Sequence, residues 1–204
     1  ARQFSSGIDW SVVYDKVNQQ GSEAVGIHSK LIGNPLDFAY FSAPVRAWPP
    51  QGPIKILAVG ALSPFRRFED VVTAVRLLRA DGHDAEALIV CKDYYGDRAY
   101  RASFEKHIQD SGVAEHIDAR FDGVSEEFML QSLHAGHVSV VPQSAKVWVA
   151  TACEAMAAGM PLIISRATSM ADVLRDGEDA CFVDPLHPEQ IAEHIKEFVR
   201  DGAR

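Results

Sequence analysis

The chain has 204 residues, 47% of them hydrophobic and 24% charged, a balance that belongs to soluble globular proteins and leaves room for one large or two small domains. A formal net charge of −8 excludes a general nucleic-acid or anionic-membrane binder whose affinity would come from bulk positive charge. No stretch approaches the ~20 consecutive apolar residues of a membrane span and no charged-then-apolar leader opens the chain.

Residues 1–53 have an irregular pattern: DWSVVYDKV (9–17) reads as one amphipathic helix, and IGNPLDF (32–38) then leads into APVRAWPPQGP (43–53), a Pro-rich linker composition. From Ile54 the pattern becomes regular. IKILAVG (54–60) reads as a buried strand, and FEDVVTAVRLLRA (68–80) as a helix with a stripe at Phe68, Val71, Val72, Val75 and Leu78 that Gly82 terminates. EALIVCK (86–92) is strand-like, and 98–112 spaces Tyr100, Phe104 and Ile108 four apart, as a helix does. HIDARF (116–121) is a weaker strand, after which Ser125 caps a helix with Glu126 and Glu127 in its first turn. VSVVP (138–142) is a strand, 149–158 a helix, PLIIS (161–165) a strand, 169–177 a short helix and ACFVD (180–184) a strand. Pro188 opens the last helix, with Ile191, Ile195, Phe198 and Val199 on one face.

Strands that are aliphatic on both faces and alternate with helices predict a parallel sheet covered on both sides, an α/β Rossmann-like doubly wound domain over 54–204 preceded by an N-terminal segment and linker over 1–53. Ligands of such folds bind outside the carboxyl ends of the strands. Two loops there are rich in chemistry. In GALSPFRRFED (60–70), Gly60 would let the chain turn tightly at the strand end. Arg66 and Arg67 precede a helix N-terminus, where forked guanidinium donors suit a diphosphate; a solvated salt-bridge cluster with Glu69 and Asp70 is the other reading.

The second loop leads into TACEAMAAGMP (151–161), where Glu154 stands alone among small and apolar residues. An ionised carboxylate in such company needs either exposure or a hydrogen-bonding partner. About one and a half turns into a helix that starts at Val149, it could accept two bonds from a vicinal diol such as a ribose; the alternative is an ordinary helix-surface residue. The three cysteines, Cys91, Cys153 and Cys181, show no C-x-x-C spacing and read as buried free thiols of a reducing compartment. The histidines, His134 and His137 among them, lack metal-site spacing, and no D-x-D motif occurs, so no metal is expected.

GALSPFRRFEDVVTAVRLL, VSEEFM, LHAGHVSVVPQS and especially CEAMAAGMPLIISRATSMADVLRDGEDACFVDPLHPEQIAEHI resemble, in order and spacing, the C-terminal domain of GT-B glycosyltransferases of family 4, the glycosyl transferases group 1. IGNPLDFAYFS (32–42) is similar to the interdomain linker of that family. The resemblance implies a donor-binding half of a retaining glycosyltransferase, which moves a hexose from a UDP or GDP sugar to an acceptor hydroxyl in polysaccharide or glycoconjugate synthesis. It implies no cofactor or metal, a cytoplasmic location, and a glycan or lipid-linked acceptor held by a separate N-terminal domain. Peripheral attachment to the inner membrane face would come from the rest of a longer chain.

Residue by residue, the resemblance makes Glu154 the second acid of E-x7-E and the ribose ligand, and sets Arg66 where a lysine neutralises the diphosphate. It gives the helix start at Val149, Ala150 and Thr151 to phosphate, and Lys92 with the loop around Val124 to the base. Departures are specific. Lys146 stands where the first acid belongs, and reads either as a ligand of diphosphate or an acidic sugar or as a solvated lysine; Ala61 replaces a second basic residue, a role open to Arg67. Cys91-Lys92 replaces a glycine, and Trp148-Val149 replaces Phe-Gly. The catalytic candidates are therefore Arg66 and Lys146.

Two rivals stand beside this reading. A chain that opens on Ala1 and ends at 204 residues is either a piece of a longer enzyme or a non-catalytic nucleotide-binding or interaction module of the same fold. A dinucleotide enzyme would need G-x-G-x-x-G after the first strand, where GALSPF stands instead.

Overall fold

The computed structural model describes residues 10–13, 15–32, 35–44 and 48–201. Its first elements are strand β1 (Trp10–Val13), helix α1 (Lys16–Ala24), strand β2 (His28–Leu31) and the short helix α2 (Phe38–Phe41). The single helix expected over 9–17 is thus corrected. Val12 and Val13 are β-branched and pair in parallel register with Lys30 and Leu31. The helix begins only after Asp15, whose carboxylate accepts the Asn18 N–H at 2.8 Å. Of the linker stretches, Gly33-Asn34 and 45–47 lie outside the described residues, as do Asp9 and Tyr14 of the expected helix.

The remainder alternates strand and helix: β3 (Ile54–Ala61), α3 (Phe68–Ala80), β4 (Ala85–Lys92), α4 (Arg98–Asp110), β5 (Ile117–Arg120), α5 (Glu126–Ala135), β6 (Val138–Val141), α6 (Ala150–Ala157), β7 (Leu162–Ser165), β8 (Cys181–Val183) and α7 (Pro188–Asp201). Six strands form one sheet in the order β5-β4-β3-β6-β7-β8, every neighbour parallel. The predicted caps hold: Ser125 Oγ accepts the Phe128 N–H at 3.2 Å and Pro188 starts α7. The short helix expected over 169–177 contracts to a 3-10 turn, Ser169–Asp172. Beyond it Asp179 accepts both the Arg175 N–H and its guanidinium, a local loop bond that competes with helical continuation.

Strand periodicity sends alternate β3 side chains to opposite faces. Ile54, Ile56 and Ala58 join Val71, Val72, Val75 and Leu78 of α3, Phe104 of α4, and Ile191 and Ile195 of α7. Leu57 faces the other way, into Leu133, Ala155, Ala158 and Met160. Each such aliphatic side chain, once buried, contributes about 1.5–3 kcal/mol. Both faces are covered, which is why the strands are apolar throughout. Chain order reverses between β3 and β6, so the loops after these two strands diverge and open a crevice at their carboxyl ends.

Candidate functional site

That crevice holds a cleft of ≈ 560 Å³. The ends of β3 and β4 supply Gly60 and Lys92, the loop before α5 supplies Val124, and α6 supplies Thr151 and Glu154; all five are among the residues singled out in the sequence, and all line this cleft. Tyr40, Tyr94, Glu126 and Met129 are among the other residues of its wall.

Glu154 is half-buried, and among the described residues no hydrogen bond reaches its carboxylate. Burial alone pushes its pKa above the usual carboxylate range. Of the two ways to tolerate a charge in this run, exposure or a partner, the fold gives neither in full. The helix that carries it starts after Val149 with no side-chain cap, so its leading N–H groups have no side-chain acceptor, and Thr151 of that first turn lines the cleft.

The paired arginines part company. Arg66 is drawn inward: its Nη1 donates to Gln143 Oε1 at 2.6 Å, its Nε is buried without a partner, and burial pulls the guanidinium below its ordinary pKa. Arg67 turns to Asp70, which is only 4% exposed, with Nη2–Oδ1 at 2.7 Å, and holds a left-handed φ of 56°. The salt-bridge reading therefore describes Arg67, and Arg66 remains the cation beside the cleft. Gly60 is also reinterpreted. It continues β3 without a positive φ, and its lack of a side chain makes room, since a Cβ there would sit 3.2 Å from Arg66 Nε.

The loop from β6 to α6 is organised by Gln143, fully buried, whose amide donates to the Ala145 and Val147 carbonyls at 3.0 Å each. Lys146 does not line the cleft and pairs with Asp172, with Nζ–Oδ1 at 2.6 Å on a partly exposed surface. Trp148 packs against the cluster of Val141, Val149, Leu162 and Phe182, and Val149 is itself 3% exposed. Neither of these two side chains lines the cleft, and Ala150 does not line it either.

On the other side, Lys92 Nζ lies over the Tyr94 ring, 5.0 Å from its centroid. Tyr40 of α2 donates to Glu126 at 3.0 Å, tying the N-terminal segment to the cleft. Tyr94, Tyr40, Glu126 and Gln143 were not found from the sequence. The aromatic pair in KDYYG beside Lys92 was a usable signal; a glutamine after a Pro-terminated strand was not.

A model of the family described as glycosyl transferases group 1 matches residues 46–204. Over 139 residues the chain is 27% identical to the MMP alpha-(1->4)-mannosyltransferase of Mycolicibacterium hassiacum, covering 67% of this chain and 32% of that protein. Among solved structures, Anabaena HepE in complex with UDP and glucose superposes with a TM-score of 0.80 at 15% identity, over 95% of this chain and 54% of its own. The sucrose-phosphate synthase of Thermosynechococcus elongatus gives 0.80 at 20% identity, over 99% and 52%. The chain thus spans about a third of the curated relative and about half of each structure.

Proposed function

The chain belongs to the glycosyl transferases group 1 family, and from that premise we propose that its cleft binds a nucleoside diphosphate sugar and that residues 54–204 are the donor-binding half of a retaining glycosyltransferase. The observation that carries this reading is Glu154: a half-buried carboxylate without a partner among the described residues, beside the open N-terminus of α6, in a cleft whose Gly60 packs against Arg66. A ribose diol would supply the missing donors to the carboxylate, each charge-assisted bond worth about 1.5–3 kcal/mol. The diphosphate would lie toward Arg66 and the first turn of α6, where a fixed cation and aligned N–H groups stabilise the negative charge that develops as the sugar leaves. Lys92 and the loop at Val124 would face the base, with Tyr94 offering a ring beside it.

In this reading the protein needs no resident metal, because Arg66 and the helix terminus carry the countercharge, and a donor phosphate oxygen takes the acceptor's proton. Lys146 can serve the diphosphate only after leaving Asp172. The acceptor, a glycan or lipid-linked glycan, would be held by a further N-terminal domain. The UDP of the HepE complex supports a nucleotide-sugar donor, and a UDP or GDP sugar belongs to the proposal. No described helix is long and apolar enough to cross a membrane; a cytoplasmic location, with any attachment at the inner membrane face supplied elsewhere, belongs to the proposal.

One observation favours a second reading. Lys146, in the place of an acid, is held by Asp172, and a chain without that acid could bind nucleotide without turnover. Calorimetric titration with UDP, GDP, ADP and their sugar conjugates, with Glu154→Ala alongside, tests both. Binding of one nucleotide that is lost in the variant supports the donor site; binding without transfer in a chain supplied with its acceptor domain supports the module; no binding at all removes the donor reading.

A further inference from the structure

Among the described residues, the charged side chains that line the donor cleft are Lys92, Asp122, Glu126 and Glu154. Glu154 is taken by the ribose in the donor reading, and Asp122 Oδ1 lies 3.8 Å from Arg101 Nη1. Lys92 and Glu126 remain, the first able only to donate hydrogen bonds and the second, when ionised, only to accept them. One loop relates the two. The Lys92 stem crosses Gly123, where a Cβ would lie 3.1 Å from Lys92 Cδ, and Glu126 follows three residues later in the first turn of α5. Gly123 suits that crossing twice over, since it also holds a φ of 82°. Opposite charges on one short loop would ordinarily pair, yet the Lys92 ammonium forms no ion pair among the described residues and rests over the Tyr94 ring. We propose that, within the donor site argued above, Glu126 and Lys92 select guanine, so that the donor is a guanosine diphosphate sugar.

The match is one of donors and acceptors. Guanine carries N1–H and the N2 amino group as neighbouring donors on one edge, which two carboxylate oxygens can take together, and O6 beside them accepts from an ammonium. Uracil offers N3–H between two carbonyl oxygens, so a carboxylate aimed at it gains one bond and meets two acceptors. Adenine offers its N6 amino group beside ring nitrogens that only accept. In either mismatch a charged group loses water without gaining its full set of partners, which costs more than the missing bond itself. Val124, Met129 and Leu130 line the same cleft and give the purine apolar surface.

Tyr40 prepares the carboxylate. Its hydroxyl donates to Glu126 Oε1 at 3.0 Å, which fixes the side chain from the N-terminal segment, and each carboxylate oxygen has two lone pairs, so the purine edge can bind without displacing it. The bond to Glu126 pushes the phenol above its ordinary pKa, and it stays a donor at neutral pH.

The test is calorimetric titration of the full chain with GDP, inosine diphosphate, UDP and ADP. Inosine diphosphate keeps O6 and N1–H and lacks only the N2 amino group. GDP is expected to bind at least about tenfold more tightly than each of the others. In Glu126→Gln the preference for GDP over inosine diphosphate should shrink to about threefold or less, whereas Lys92→Met should weaken both by the same factor, because both carry O6. Equal affinity for GDP and inosine diphosphate in the wild type, or a preference that survives Glu126→Gln, would overturn the proposal. The wild-type comparison needs no variant, so it decides even if Glu126→Gln does not fold. Glu154→Ala separates the base from the site: tighter binding of UDP or ADP than of GDP, lost in that variant, leaves the donor reading standing and removes guanine alone. Binding of no nucleotide removes both.

Discussion

Gln143 binds Arg66 and the loop that leads to α6 with one amide group: its Oε1 accepts from Arg66 Nη1 at 2.6 Å, and its Nε2 donates to Ala145 and Val147 carbonyls at 3.0 Å each. The side chain is fully buried, so no water stands ready to replace it. Gln143→Ala is therefore expected to destabilise the chain by about 1–3 kcal/mol and to weaken nucleotide binding about tenfold. It orphans one guanidinium donor and removes one of the two donors to each carbonyl, the other being the Val147 N–H to Ala145 and the Ser169 N–H to Val147. Urea unfolding and calorimetry measure the two effects.

Glu154 links binding to pH. Its pKa is raised in the folded protein by burial, and diol donors would favour the ionised form. Between the ordinary carboxylate value and the raised one, the free protein holds a proton that the complex releases. Titrations in buffers of different ionisation enthalpy should show proton release in that window and weaker binding as the pH falls through it.

The same shift bears on stability. The native state holds the Glu154 proton more tightly than the unfolded chain does, so this group's contribution is fully present below the unfolded value and is lost as pH rises through the raised one. Glu154→Gln should accordingly melt at or above the wild-type temperature at neutral pH, while Glu154→Ala loses more than about tenfold in nucleotide affinity. A melting temperature well below wild type in Glu154→Gln would show that the carboxylate is structurally satisfied after all.

Arg66 and Arg67 should separate cleanly on substitution. Arg67→Ala strands Asp70, whose side chain is 6% exposed, and is expected to cost about 2–4 kcal/mol with nucleotide affinity within about twofold. Arg67→Gly loses the same pair but relieves the left-handed φ of 56°, and should recover about 1 kcal/mol of that loss. Arg66→Ala is expected to do the opposite, cutting nucleotide affinity at least about tenfold with a smaller effect on unfolding. Chemical denaturation and calorimetry on the three variants decide the assignment.

Gly60 tests close approach. A methyl there would meet Arg66 Nε at 3.2 Å, Arg66 Cδ at 3.3 Å and Phe68 Cζ at 3.4 Å. Gly60→Ala is expected to displace the guanidinium and weaken nucleotide binding a few-fold, with Gly60→Val about tenfold or worse; both keep the strand, because the position has ordinary extended geometry. Equal affinity in Gly60→Val would mean that Arg66 does not contact the ligand.

The sequence by itself determined the sheet and its helices from Ile54 onward. Long aliphatic strands such as IKILAVG and striped helices such as FEDVVTAVRLL carry their own period, and caps such as Ser125 mark their ends locally. It failed where the local signal was short or competed with a loop bond. WSVV is a strand because HSKL pairs with it, and 169–177 stays mostly non-helical because Asp179 captures Arg175. At the cleft, sequence pattern and family resemblance singled out Gly60, Lys92, Val124, Thr151 and Glu154, since the ends of β3 and β4, the loop before α5 and the first turns of α6 are directed by the topology to one crevice.

Tertiary structure alone decided which of two adjacent arginines bonds Gln143 behind Gly60 and which serves Asp70, and that Lys146 turns to Asp172. It also brought Tyr40 to Glu126 and Arg66 to Gln143, pairs far apart in the chain. Local periodicity fixes which face of an element is apolar, whereas the partner of a long polar side chain is chosen by whatever unpaired group lies within its reach once distant segments have packed.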